Sequence, residues 1–167
     1  MPASANAYVT TSQSVARINE TSALFSITYS FGHSEHETYL PVWATRSQAW
    51  GSQSNSIGYE VLKSGKVTET ASTIGVVISD TSITLDDMYQ IAKGKSQSLT
   101  LYVVLTTENN TPIDNYSIRV TDLPFYWDKS REYMKLNPSE LKYYQTPTIK
   151  GANYVNNSSA SFTLRTK

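Results

Sequence analysis

Residues 97–106 place Leu99, Leu101, Val103 and Leu105 on one register and Thr100, Tyr102 and Thr106 on the other. Beyond a polar turn through Pro112, Tyr116, Ile118 and Val120 alternate with Ser117, Arg119 and Thr121. Strand side chains point to opposite faces with a period of two, so the pattern predicts two strands covering one apolar layer. An earlier run does the same, with Ala23, Phe25, Ile27, Tyr29 and Phe31 set against Leu24, Ser26, Thr28 and Ser30. It predicts a half-buried strand.

Shorter signals fill the intervals. Thr38 to Thr45 carries Tyr39, Leu40, Val42 and Trp43, with Pro41 indicating a strand edge or bulge. Residues 58–62 and 66–70 flank Ser64-Gly65, a tight-hairpin pattern. Ile74 to Ser79 and Ile83 to Leu85 are two further short strands, and Ser47 to Ser56 is a Ser/Gln/Asn-rich loop around Trp50. Pro124 to Pro147 breaks the rhythm. Asn137-Pro138-Ser-Glu140 has the order of a helix start, so this insert is expected to be irregular or to hold a short helix. The expected organisation is an N-terminal edge strand or tail over 1–20, a β-sandwich over 21–150, and a tail or extra strand over 151–167.

Composition narrows the function classes. Serine and threonine make up about a quarter of the chain, charged residues 17%, and there are 12 tyrosines. Such a mixture suits sheets whose solvent faces are hydroxyl-rich rather than charged. Net charge is zero, which argues against nucleic acid as a partner, since its binding relies on a basic excess. No apolar run approaches the ~20 residues of a membrane helix, so no membrane insertion is expected. The start at Met1-Pro2-Ala3-Ser4 lacks signal-peptide character, and the expectation is a mature surface domain carrying a new initiator Met. With no cysteine, disulfides, thiol nucleophiles and thiolate metal sites are excluded.

One stretch resembles a known class. Ile91-Ala-Lys-Gly94, the alternating strand, the turn with Pro112 and Asn115-Tyr116-Ser-Ile-Arg-Val120 are similar to the late strands of bacterial immunoglobulin-like surface domains. The resemblance covers about thirty residues. It implies an all-β, immunoglobulin-like, two-sheet antiparallel sandwich in an extracellular or cell-surface setting. Tyr116 would then be the corner tyrosine and Trp43 the core tryptophan of an early strand.

Candidate chemistry is sparse. His33, Glu35, His36 and Glu37 are the one cluster of metal-ligand types, and the expected reading is a polar turn without metal. Asp80, Asp86, Asp87, Asp114, Asp122 and Asp128 follow no calcium-loop spacing and are expected as turn residues. Both histidines lie on one turn, and no nucleophile elbow or phosphate loop is present, so neither catalysis nor a cofactor is expected. Phe125, Tyr126, Trp127, Tyr133, Tyr143 and Tyr144 crowd the insert. These rings either plug one end of the sandwich or, with Trp50, form a sugar platform from Trp50, Tyr126, Trp127 and Tyr133.

The expected function is a non-catalytic, surface-exposed structural or interaction module, a subunit of a self-associating cell-surface assembly. A carbohydrate-binding module meeting surface glycans is one alternative, and a viral or phage surface protein another. The termini bear on assembly. Residues 1–18 and the alternating Ala160 to Arg165 each make a marginal strand, able to pair with their own sheet or with an adjacent copy.

Overall fold

The computed structural model describes residues 6–19, 21–32, 37–47, 56–81, 87–107, 116–127, 132–135, 149–150, 153–154 and 160–165. For residues 6–9, for Trp127 and for the strands that follow it, the backbone alone is described. Among the residues described with their side chains 77% lie in strands and none in a helix, so the described part is all-β with several antiparallel sheets.

A five-stranded antiparallel sheet forms one layer. Its order is Ala160–Arg165 (β15), Asn6–Arg17 (β1), Ser22–Gly32 (β2), Gln97–Thr106 (β9) and Ser72–Ser79 (β7). Registers run straight across it: Val15 opposes Phe25, Phe25 opposes Val103, and Val103 opposes Gly75. The alternation read in 23–31 and 99–105 faces inward as expected, with Phe25, Ile27, Leu101 and Val103 at most 1% exposed.

Two further sheets meet that layer, one of six strands and one of four. One has the order Asn153–Tyr154 (β14), Ile149–Lys150 (β13), Tyr116–Asp122 (β10), Ser56–Lys63 (β5) and Trp43–Arg46 (β4), with Lys66–Thr68 (β6) also on β5. The other has the order Glu132–Lys135 (β12), Pro124–Trp127 (β11), Thr38–Pro41 (β3) and Met88–Ile91 (β8). Inward side chains of all three sheets share one core, which joins Phe25, Leu101 and Leu105 to Val61, Ile118 and Val120 and to Leu40, Ile91 and Phe125. The arrangement is sandwich-like. Strands β9 and β10, read from sequence as covering one apolar layer, do so from opposite sides.

Local chemistry explains the connections. Lys63 opposes Lys66, leaving the two-residue turn Ser64-Gly65 with φ of 50° and 80°. Positive φ at both positions is the hairpin turn whose twist matches the strands, and glycine relieves the second. Pro41 ends β3, and after Val42 the chain enters another sheet, where β4 runs parallel to β5. Arg46 ties the next corner by donating to the carbonyls of Ala71 (2.7 Å), Thr68 (2.9 Å) and Thr70 (2.9 Å).

Some expectations need correction. Trp43 is not a core residue: it is 59% exposed, and its neighbour Ala44 packs against the core instead. The reason is space. A Cβ on Gly75 of β7 would lie 3.1 Å from the Ala44 Cβ, so the layers approach too closely there for an indole. Tyr116 is buried, but its hydroxyl has no hydrogen-bond partner among the described residues, unlike the backbone tie of a corner tyrosine. The start of the 124–147 insert is regular, a β11–β12 hairpin pairing Phe125 with Met134. The expected helix start at Asn137 and the strand over 83–85 lie outside the described residues. The N-terminal strand has a neighbour on each side, β2 along its length and β15 over Asn6–Thr11.

Candidate interaction surface

The outer face of the five-stranded sheet is built from the alternate positions that the core does not use. One row across the strands is Ser12, Thr28, Thr100 and Ile78; the next is Ser14, Ser26, Tyr102 and Val76; the next is Ala16, Leu24, Val104 and Ile74. Every outward position of β1, β2, β9 and β7 whose side chain is described is uncharged, in a chain where 17% of residues carry charge. Asp80 lies just past β7, and its Oδ1 accepts from the Ser98 backbone N–H.

The face has two halves. Over β1, β2 and most of β9 it is mainly hydroxyl, and along β7 it turns apolar. Ile74, Val76 and Ile78 are 69%, 47% and 55% exposed, the densest group of exposed large hydrophobics among the described residues. The hydroxyls bond sideways across strands: Ser14 to Ser26, Thr28 to Thr100 at 2.9 Å, and Ser22 to Thr106 at 3.1 Å. Groups paired in this way lose less when water is removed than free hydroxyls do.

Sheet edges add to this surface. Among the described residues strand β7 pairs only with β9 and ends the sheet. Its sequence, Ser-Thr-Ile-Gly-Val-Val-Ile-Ser, has no lysine, proline or charge of the kind that usually protects a free edge. At the opposite margin β15 pairs with β1 only as far as Thr11, so Ser12 to Arg17 have no strand on that side among the described residues.

The sugar-platform residues fare differently. Trp50 lies outside the described residues, and Trp127 and Tyr133 are described as backbone only. The ladder sets Tyr126 opposite Tyr133 on one side and Tyr39 on the other, so three tyrosines share a row. Tyr39 is 6% exposed and donates to Glu37 Oε2 at 3.1 Å, and Phe125 is 1% exposed, so both are core rather than platform. Tyr126 is half-buried, and burial, then the nearby Asp122 charge, raises its hydroxyl above the usual tyrosine range.

The polar candidates are scattered. His33, Glu35 and His36 lie outside the described residues, as do Asp86, Asp114 and Asp128. Asp87 takes a positive φ of 56° in a turn, and Asp122 is fully buried. Among the described residues no three His, Cys, Asp or Glu side chains come together. Arg119 and Glu60, cross-strand partners on β10 and β5, form an ion pair through both Nε and a terminal nitrogen. It is a structural tie between strands.

The outer face itself was missed in the sequence, though its hydroxyl character was visible in the Ser/Thr content. Its apolar half was not, because a short strand over Ile74 to Ser79 does not by itself say which face is buried. The chain matches no protein-family model, and comparisons with curated proteins and with solved structures give no match.

Proposed function

We propose that this chain is a non-catalytic, surface-exposed structural or interaction module that works as a subunit of a self-associating assembly. The observation that carries the reading is the margin of the five-stranded sheet at β7, which has no second strand beside it among the described residues. A sheet margin of this kind can take up a strand from a second copy through main-chain hydrogen bonds. Zero net charge leaves little long-range repulsion between copies.

The immunoglobulin-like reading of the sandwich and an extracellular or cell-surface setting belong to the same proposal. The sandwich-like layers and the hydroxyl-rich outer face support it, while Trp43 no longer does. In this reading β15 pairs either within its own chain or with the β1 of a neighbour. The test is molar mass by light scattering over a wide concentration range, for the full chain and for a chain lacking residues 151–167. The full chain should exceed its monomer mass of 18.6 kDa as concentration rises. A full chain that stays at that mass throughout removes the proposal.

A further inference from the structure

We infer that the uncharged outer face of the five-stranded sheet packs face to face against the same face of a second copy, related by a two-fold axis. This rests on the self-association reading above and assigns the contact to the face of the sheet rather than to its margins.

Four features of the face select a second copy. It carries no charge among its described positions, so its two-fold image brings no like charges together, whereas a charged partner would find nothing to pair with. Its apolar side chains, Leu24, Val104, Ile74, Val76 and Ile78, can lie on their own image, with the hydroxyl part of the face meeting its image to one side. Removing these exposed apolar side chains from water favours the contact. Its hydroxyls already bond across strands, which lowers the penalty for drying the face.

Area is the fourth. Four strands of about ten residues, spaced ~4.8 Å apart with a rise of ~3.4 Å per residue, present a face of roughly 650 Å². Stable complexes bury about 800 Å² per partner, so the face alone approaches what a dimer needs. Sheets pack at a separation of about 10 Å, and the short outward side chains Ser, Thr, Val and Ile suit that distance.

The test is sedimentation velocity across concentrations for the wild type, Ile74→Lys, Val104→Lys and the control Lys93→Glu, which lies on an exposed turn. Circular dichroism verifies that each variant keeps its fold, and Ile74, at 69% exposure, tolerates lysine in the single copy. The expected result is a wild-type dimer of twice 18.6 kDa, weakened roughly tenfold or more by either face variant and unchanged by the control. Association that survives both face variants but vanishes when residues 151–167 are removed overturns the face assignment and leaves the broader reading standing. A wild type that is monomeric at every concentration overturns both. A monomer whose face brightens 8-anilinonaphthalene-1-sulfonate assigns the surface to an apolar partner of another kind, and also overturns the inference.

Discussion

Replacing Gly75 with alanine tests how closely the two layers approach. The added Cβ would lie 2.9 Å from Tyr59 Cε1, 3.1 Å from the Ala44 Cβ and 3.2 Å from Tyr59 Oη. Real Cβ contacts are essentially never as short as the first, and the other two are tighter than most, so Tyr59 must move. Tyr59 has little freedom to do so: it is 3% exposed, and its hydroxyl donates to Thr73 Oγ1 at 2.9 Å. Overpacking of this kind costs about 1–3 kcal/mol. Against it stands a gain of about 0.4–1 kcal/mol, because alanine restricts the unfolded chain more than glycine does. The clash wins, and the net loss is about 1–2 kcal/mol. For a chain of this size each kcal/mol moves the melting temperature by about 2–4 °C, so Gly75→Ala should melt roughly 2–8 °C lower. Thermal and urea unfolding measure this, and the urea slope should stay constant. Adding Tyr59→Leu should recover part of the loss, since coupled neighbours depart from additivity by about 0.5–3 kcal/mol. A Gly75→Ala protein as stable as wild type refutes the reasoning, because β7 then does not rest on Tyr59 and Ala44.

Other expectations follow from the same structure. Phe25→Ala and Leu101→Ala, at 0% and 1% exposure in the sheet centre, should each lose about 2–5 kcal/mol in urea unfolding. Arg46→Lys retains the charge but not the planar fork that holds three carbonyls, and should lower stability by about 1–3 kcal/mol. Burial raises the Tyr29 hydroxyl well above the usual tyrosine range, and burial with the Asp122 charge raises Tyr126. The unfolded chain therefore releases these protons first, so the stability they confer is full below about pH 10 and falls as pH rises beyond it. Tyr29→Phe should shift the alkaline unfolding midpoint upward, as followed by near-ultraviolet circular dichroism.

The sequence made visible those elements in which one face is dry and the other wet. Residues 23–31 and 99–105 alternate because Phe25 and Leu101 enter the core while Ser26 and Thr100 line the outer face. Ser64-Gly65 was legible because the turn demands positive φ at both positions. Strands such as β3, buried at all four residues, and β8, with Met88, Tyr89 and Ile91 buried, show no such period. Trp43 misled because aromatic residues usually supply core volume, whereas Gly75 lets β7 approach so closely that only Ala44 fits beneath it. Nothing local in Ile74, Val76 and Ile78 shows which way they face. Their outward placement follows from the register in which Val77 meets Leu101, a long-range pairing that no local pattern encodes. The candidate site is therefore the least legible part of the molecule.

The central claim, that the uncharged outer face is covered by a second copy, is tested most directly by the reactivity of a single thiol placed in it. The chain has no cysteine, so Ser26→Cys introduces a lone probe in the row of Ser14, Tyr102 and Val76, and Ser96→Cys supplies a control on an exposed turn. The account expects the rate of thiol modification at position 26 to fall as protein concentration rises, while the rate at position 96 stays constant. Equal, concentration-independent rates at both positions would contradict it.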